Sequence, residues 1–419
     1  MPAPALLILP QGLTVTGVTT WALRLAGALA EGARPVGVVV HGAAPGHRAL
    51  DATVPPGVRL FRDDTLPEIG ATGGNLAPFV AFYQHAIEQI SPERPVALIP
   101  TRHGDCFGAC AALTRQCPDR VRVIGWQHLD SSYENAVLAR YEPSFARMTG
   151  VSEHIAALLR ARFPERAGHI RAVANGIGAP NDPPRRAPIE GRPLELIYTG
   201  RLEHEQKRVL ALVEMSRHLA TMNIPHRLTL VGDGPALGRL EAIAADSPAL
   251  RVIPGVGPDA VTPLLEQSDV FLLASRREGM SVSLLEAMAR GCAPVITRTA
   301  SGAGEVIDTP ACGRLIDFDE RTTDARLARR LAEGVASVAR DGVHEIGGRA
   351  WRRVRDHFSL ERQAARAGAL IDEAIESPPR SWPAQLDPAF ATGAPGSGTV
   401  PADDPDRIRL VLDELASAP

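Results

Sequence analysis

Short apolar runs alternate along the chain with longer stretches in which apolar residues recur at helical spacing. The first run, Ala5–Leu9, leads into a loop containing glycine and threonine, and residues 19–30 then show a helical period. An apolar run, a loop and an amphipathic stretch in this order are typical of a buried parallel strand and the helix that follows it. Strands of the same kind are predicted at residues 35–41, 58–61, 96–100 and 121–128.

The alternation resumes after residues 180–193, which hold five prolines, several charges and no periodicity. Such a stretch predicts a linker between two domains. Beyond it, strands are predicted at residues 194–199, 228–232, 250–254, 268–274, 293–297 and 313–316, and helices at residues 325–339 and 351–375.

The whole pattern predicts an α/β protein with two Rossmann-like, doubly wound domains. We assign residues 1–179 to the first domain, 194–350 to the second, and 351–376 to helices that cross back onto the first. Residues 377–419 are rich in Pro, Gly, Ala and Ser and predict a flexible tail, in which helical spacing at 406–415 indicates a short helix.

Composition narrows the classes of partner. The chain has 419 residues, 45% of them hydrophobic, and a net charge of −3, which gives no electrostatic argument for nucleic acid. Its five cysteines form no metal-ligand set, and Cys106 and Cys110 have the spacing of small apolar positions on a helix. Without a signal peptide or an apolar run of about 20 residues, we expect a cytoplasmic protein with no transmembrane segment.

The most informative stretch is residues 275–295, where a buried strand is followed by a glycine turn and a helix start. This order aims free backbone N–H groups and the positive end of a helix dipole at one place, which suits a phosphate. Glu278 and Glu286 bracket the turn, with seven residues between them. The alternative is purely structural, since Ser283 and Glu286 fit a capping box that needs no ligand.

The residues of this stretch resemble the E-x7-E motif of the retaining glycosyltransferases of family 4. Ser275 and Glu278-Gly279 match it, as do Leu284 to Ala289 and Gly291, Pro294 and Val295. The resemblance implies the GT-B fold, in which two Rossmann-like domains face each other across a cleft. The second domain would hold a nucleotide-diphosphate sugar, and the first an acceptor that is a small molecule, a glycan or a lipid-linked compound.

A second match lies at Gly200-Arg201-Leu202, with Lys207 six residues after the arginine. In the family, this arginine and lysine clamp the donor diphosphate, whereas alone they are ordinary solvated side chains. Two fixed cations suit a diphosphate leaving group, so no metal is expected to be required. Arg208 stands where the family more often has glycine, which we interpret as a small departure, and Asp317-Phe318-Asp319 is interpreted as a chance match to a metal motif.

The predicted donor site follows from these resemblances, with the glycines of 232–234 expected to let the backbone approach the nucleotide. Its predicted members are Arg201, Lys207, Gly232, Gly234, Glu278, Gly279, Met280, Ser281, Val282 and Glu286.

Candidates in the first domain come from the ends of its predicted strands, where open α/β sheets bind ligands. His128 ends one strand, and the family implies that such a histidine lines the sugar site, although a lone histidine is more often structural. The loop residues Thr16, Gly17, Thr101, Arg102 and His103 are predicted to face the acceptor or the donor. The first loop departs from the family because Gly12 and Gly17 are separated, and Asn175-Gly176 is interpreted as a turn.

The predicted reaction is transfer of a sugar to an acceptor hydroxyl with retention of the anomeric configuration. Its predicted catalytic residues are Glu278, His128, Arg201 and Lys207. A phosphorylase or epimerase of the same fold and a catalytically silent nucleotide-sugar binder remain as alternatives. Neither the sugar, the base, the acceptor nor the oligomeric state follows from the sequence.

Overall fold

A computed structural model describes residues 1–42, 52–66, 76–101, 104–319 and 321–382. The chain divides into two compact units. One unit comprises Met1–Ala174 together with the chain from Gln363 onward, and the other comprises Asn175–Arg362.

The first unit is built on a parallel sheet with the strand order β3-β2-β1-β4-β5-β6-β7. Its central strands are buried along their full length because they consist almost wholly of aliphatic residues. The strands are β1 (Ala5–Leu9), β2 (Val36–Val40), β3 (Arg59–Arg62), β4 (Val96–Pro100), β5 (Val121–Gln127), β6 (Phe145–Gly150) and β7 (Ile170–Ala172). The helices are α1 (Gly17–Glu31), α2 (Ala77–Ile90), α3 (Gly104–Gln116), α4 (Ser132–Tyr141) and α5 (Glu153–Arg162).

The second unit repeats this plan with the parallel order β10-β9-β8-β11-β12-β13. Its strands are β8 (Leu194–Thr199), β9 (His226–Gly232), β10 (Leu250–Pro254), β11 (Val270–Leu273), β12 (Ala293–Thr297) and β13 (Arg314–Ile316). Its helices are α6 (Val209–Thr221), α7 (Leu237–Ala245), α8 (Pro258–Glu266), α9 (Val282–Ala289), α10 (Ala303–Val306), α11 (Asp324–Asp341) and α12 (Val343–His357).

These elements confirm the predicted α/β class with two doubly wound sheets and the positions of the predicted strands. In both units the direction of winding reverses beside the first strand, between β1 and β4 and between β8 and β11. Open parallel sheets bind ligands at the carboxyl ends of the strands at this reversal. The reversal in the second unit therefore marks where its site is to be sought.

The helical stretch predicted at residues 351–375 is divided in two. The structure has α12 up to His357 and a separate α13 (Leu360–Glu376). Ile177 causes the interruption, because it accepts from the Leu360 N–H and donates to the Phe358 carbonyl at 2.9 Å, groups that a continuous helix needs.

Helix α13 is held in the first unit by an ion pair whose arginine is buried and whose aspartate is partly exposed. The Arg34 guanidinium donates to both carboxylate oxygens of Asp372, at 2.8 and 2.9 Å. The hydrogen bond from Arg34 lowers the pKa of Asp372.

The predicted flexible tail is wrong for its first six residues. Trp382 is 3% exposed, and its backbone N–H donates to the Thr114 hydroxyl. Its ring packs against Tyr141 and the Arg140 guanidinium. A tryptophan with this much apolar surface is stabilised by burial, whatever the composition around it. The rest of the tail, with the short helix predicted at 406–415, lies outside the described residues.

The predicted linker lies in the second unit and forms neither helix nor strand. Arg186 donates to the carbonyls of Ser268, Arg290 and Leu265, and Arg192 pairs with Asp269. These bonds hold residues 186–192 to the start of β11. Within the described part of the chain, no helix is long and apolar enough to cross a membrane.

Candidate functional site

The loops that follow β8 and β11 meet at the reversal point of the second sheet. Strand β8 pairs with β11, so the two loops leave the sheet side by side. One loop carries Arg201 and Lys207, and the other carries Glu278. The structure therefore brings together residues separated by about seventy positions in the sequence.

Lys207 and Glu278 are in direct contact. The Lys207 Nζ donates to Glu278 Oε1 at 2.6 Å, and the two side chains are 21% and 12% exposed. A charge-assisted hydrogen bond of this length between partly buried groups is stronger than an ordinary surface ion pair. Lys207, predicted to bind the diphosphate, and Glu278, predicted to bind the sugar, are thus joined by an ion pair.

The loop before Lys207 is shaped by a carboxylate that sequence reasoning missed. Glu203 accepts hydrogen bonds from the backbone N–H groups of Gln206 and Lys207, the latter at 2.8 Å. The backbone carbonyl of Gln206 accepts from the Arg276 N–H. The side-chain amide of Gln206 donates to the Arg277 carbonyl. Both loops are therefore tied together immediately before Lys207 and Glu278.

Arg208 is not the small departure that we expected. Its backbone has φ 52° and ψ 39°, a left-handed conformation that glycine adopts freely and that costs other residues about 1–2 kcal/mol. Its side chain is fully buried, and its Nε donates to Asp324 at 2.7 Å. The arginine thus keeps the backbone shape of a glycine and adds an ion pair to α11.

The structural alternative, a capping box at Ser283 and Glu286, is wrong. The cap of α9 is Ser281, whose Oγ accepts from the Leu284 N–H at 3.2 Å. Ser283 lies inside the helix and Glu286 in its second turn, partly exposed. The signal was ambiguous because two serines two positions apart both precede the apolar run.

The loop between Glu278 and Ser281 is fixed by two hydrogen bonds. The Asn175 side chain, 4% exposed, donates to the Met280 carbonyl at 2.8 Å, and the Gly302 N–H donates to the Gly279 carbonyl at 2.7 Å. Asn175, which we interpreted as part of a turn, therefore holds the loop that starts α9. Its burial was not visible from a single Asn-Gly pair.

The glycines at 232 and 234, predicted to let the backbone approach the nucleotide, also pack against the neighbouring loop. A Cβ on Gly232 would overlap the Gly200 carbonyl, and one on Gly234 would lie 2.5 Å from the Leu202 carbonyl. Both glycines have φ near 150°, and the Leu202 N–H donates to the Asp233 carbonyl at 2.7 Å. The missing side chains admit the neighbouring loop of the protein itself.

Arg201 is exposed at the tip of its loop, while the chain beneath it is fixed by Tyr198. The Tyr198 hydroxyl donates to the Arg201 carbonyl at 2.7 Å. Burial, with the nearby carboxylates of Glu278 and Glu203, raises the pKa of Tyr198 well above its ordinary value. The phenol therefore remains a neutral donor.

The two aspartates of the D-x-D match are used locally. Asp317 pairs with Arg298, and Asp319 accepts from the Thr322 hydroxyl at 2.8 Å. Across the described residues, no three His, Cys, Asp or Glu side chains gather in a way that would hold a metal ion.

The candidates of the first unit lie around its own reversal point, after β1 and β4. Thr16 caps α1, accepting from the Thr19 N–H at 3.1 Å, and Gly17 is the exposed first residue of that helix. The Thr101 hydroxyl is buried and donates to the Ile8 carbonyl at 2.6 Å, so it joins the strands. Arg102 and His103 lie outside the described residues.

His128 follows β5 directly and is half-buried. Its ring meets the Trp21 ring edge-on, with 4.4 Å between the centroids, and Trp21 in turn packs against Trp126. His128 thus belongs to the first unit, and Lys207, Glu278 and Glu286 to the second.

Comparison with known proteins gives a family match that lies within the second unit. Residues 193–335 match a family model described as "Glycosyl transferases group 1". The putative glycosyltransferase EpsF of Bacillus subtilis is 34% identical over 155 residues, which are 34% of this chain and 40% of that protein. The alignment thus spans about two fifths of that relative.

Solved structures extend the likeness to both units. Sucrose-phosphate synthase from Thermosynechococcus elongatus superposes with a TM-score of 0.68 over 88% of this chain and 98% of its own, at 16% identity. HepE of Anabaena, solved in complex with UDP, gives a TM-score of 0.62 over 88% and 99%, at 15% identity. The chain has the GT-B fold, and residues 193–335 are similar to the glycosyl transferases group 1.

Proposed function

We propose that the protein is a retaining glycosyltransferase of family 4, which moves a sugar from a nucleotide-diphosphate donor to an acceptor hydroxyl. The observation that carries this proposal is the Lys207–Glu278 contact at the reversal point of the second sheet. It lies within the segment that matches group 1 glycosyltransferases and beside the start of α9.

In this proposal the second unit binds the donor. Arg201 and Lys207 neutralise the diphosphate together with the N-terminus of α9, where unpaired N–H groups carry partial positive charge. Glu286, in the second turn of α9, accepts from the ribose hydroxyls. Glu278 then meets the hydroxyls of the sugar close to the anomeric carbon.

The proposed transfer takes place on one face of the sugar. The bond between the anomeric carbon and the diphosphate oxygen breaks, and the departing oxygen receives the proton of the acceptor hydroxyl. The acceptor oxygen then bonds to the anomeric carbon from the same side, which retains the configuration. Lys207 and Arg201 stabilise the charge that grows on the diphosphate, and Glu278 stabilises the positive charge on the sugar ring.

In the first unit we propose that His128 contacts the donor sugar. The loops at Thr16, Gly17 and 101–103 serve the acceptor or the donor, and the acceptor is a small molecule, a glycan or a lipid-linked compound. Thr101 contributes only as an acceptor, since its hydroxyl and its backbone N–H both donate to the Ile8 carbonyl.

We also propose that donor binding needs no divalent metal, because two side-chain cations and a helix terminus neutralise the diphosphate. A chelator should leave turnover unchanged. Loss of turnover in chelator, with recovery on adding Mg²⁺ or Mn²⁺, would contradict this part of the proposal.

The proposal is tested by screening nucleotide sugars for thermal stabilisation and then following turnover of the best donor by NMR. We expect turnover to require an acceptor alcohol, and the product to keep the anomeric configuration of the donor. Inverted product would refute retention. Equal turnover with phosphate or water would favour the phosphorylase or epimerase alternative, and binding without turnover would favour the silent binder.

A further inference from the structure

The chain contains one lysine among its 45 Lys and Arg residues, and that lysine is Lys207. All the other residues in that count are arginines. The single ammonium group contacts Glu278 in the proposed donor site, where a compact point charge differs in kind from a planar guanidinium. The residues around Lys207 determine where this ammonium lies.

Arg208, the next residue, is anchored on a different element. Its guanidinium donates to Asp324 Oδ1 at 2.7 Å and to the Thr322 carbonyl at 2.9 Å. His204 contacts the other oxygen of Asp324 at 2.7 Å. Asp324 is the first residue of α11, so these contacts join both ends of the 204–208 turn to one helix terminus.

The electrostatics of this cluster favour the ion pair. Burial alone would raise the pKa of Asp324, but the hydrogen bond and positive charge of Arg208, with the contribution of His204, lower it overall. The Arg208 side chain is completely buried, whereas Asp324 is partly exposed. The carboxylate thus holds the arginine in place while it remains reachable by water.

A left-handed backbone directly after Lys207 sets the direction in which the lysine side chain leaves the loop. Glycine would supply this conformation without a side chain to fix it. Arg208 has the same backbone conformation, and its side chain fixes that conformation by pairing with Asp324 of α11. Glu203 fixes the other side of Lys207 through its backbone N–H.

We propose that Arg208, clamped on Asp324, is a positioning residue that holds the Lys207 ammonium against Glu278. The part of this inference that concerns the diphosphate rests on the proposed function. The part that concerns the position of Lys207 does not, and it is measurable without any ligand.

The single lysine makes the measurement direct. An amine-selective acylating reagent can modify only Lys207 and the chain's N-terminal amine, and peptide mapping separates the two. We expect Lys207 in Arg208→Gly to react about fivefold faster than in the parent protein, because freeing an amine from a partly buried ion pair of this kind changes its availability by about that factor. The N-terminal amine, whose rate should not change, is the internal reference.

Two further variants separate positioning from stability. Arg314→Ala removes an arginine that pairs with Asp341 at the other end of α11, 2.5 Å between Nη2 and Oδ2. We expect it to lower the melting temperature but to leave the Lys207 rate unchanged. Arg208→Lys, with its added amine resolved by mapping, should restore part of the slow Lys207 rate, because its charge reaches towards Asp324.

An unchanged Lys207 rate in a folded Arg208→Gly protein would overturn the inference, as would an equal rise in Arg314→Ala. Should Arg208→Gly fail to fold, Asp324→Ser provides the same test from the other side of the pair. UDP, GDP and ADP titrations then test the consequence, with an expected loss of about fivefold in affinity for the nucleotide bound by the parent. If the parent binds none of them, the proposed function fails while the labelling result stands.

Discussion

At the scale of single residues, the site depends on a lysine and a glutamate that already hold each other before any donor arrives. Their contact keeps both charges partly desolvated without leaving either unpaired. A diphosphate offers Lys207 further oxygens, so the ammonium can serve it without abandoning Glu278, since it has three donors.

The ammonium should not be replaceable by a guanidinium. Lys207→Arg retains the charge but lengthens the side chain and spreads its charge over a plane, which cannot keep the 2.6 Å contact in the same space. We expect kcat/KM to fall by about tenfold, equivalent to about 1.4 kcal/mol. Arg217→Lys, on the exposed face of α6, is the control and should leave kcat/KM unchanged. Normal kcat/KM in Lys207→Arg would show that any cation suffices.

Asn175 supports the loop between Glu278 and Ser281 through one buried hydrogen bond. Asn175→Ala leaves the Met280 carbonyl without that donor, and we expect the free energy of unfolding to fall by about 1–2 kcal/mol. The KM for the donor should rise because the start of α9 loses its support. Denaturant unfolding and initial rates measure the two effects, and a change in stability with no change in KM would mean that the loop holds its shape unaided.

At the scale of elements, the start of α9 is the proposed anion site, and it is capped by Ser281. Ser281→Ala should cost about 1 kcal/mol of stability and weaken nucleotide binding, because it removes the cap at the proposed anion site. Ser283→Ala, two residues further on, should change both quantities little. The reverse ranking in thermal unfolding and UDP titration would restore the capping box at Ser283.

The strands were predictable from sequence because buried parallel strands read as uninterrupted aliphatic runs, as in β1 and β11. The interruption between α12 and α13 was not, because its cause is Ile177, far away in the chain. The roles of Arg208 and of Gly232 likewise depend on Asp324 and on the Gly200 carbonyl, partners that only the folded unit supplies. Motifs were enough to predict a candidate site, whereas the contacts inside it needed the structure.

At the scale of the whole molecule, several carboxylates in both units have lowered pKa values, which makes stability depend on pH. Hydrogen bonds from Thr322 and Arg34 lower the pKa values of Asp319 and Asp372. Burial raises the pKa of Asp269, but the hydrogen bonds and charge of Arg192, with the Glu195 N–H and His344, lower it overall. A lowered folded-state pKa contributes stability above the unfolded value of 3.8, and that stability is lost as the pH falls through the folded value.

We therefore expect the melting temperature to be steady from pH 7 to about pH 5 and to fall steeply below about pH 4. Calorimetry across this range measures it. Asp269→Asn should lower the melting temperature at pH 7 and flatten the acid part of the profile. A melting temperature that rises on acidification would contradict the role given to these ion pairs.

In the proposed mechanism, Glu278 acts on the reacting sugar while the nucleotide is held by its neighbours. Glu278→Gln keeps the shape and removes the charge, so kcat should fall by about 10²-fold, a loss typical of one preorganised electrostatic group.

The decisive measurement is kcat for the best donor in Glu278→Gln, made beside a titration with the corresponding nucleoside diphosphate. Glu214→Gln on α6 serves as the matched control. We expect a large loss of kcat with nucleoside diphosphate binding nearly as tight as in the parent, because Arg201 and Lys207 both remain. A near-normal kcat in Glu278→Gln would contradict it.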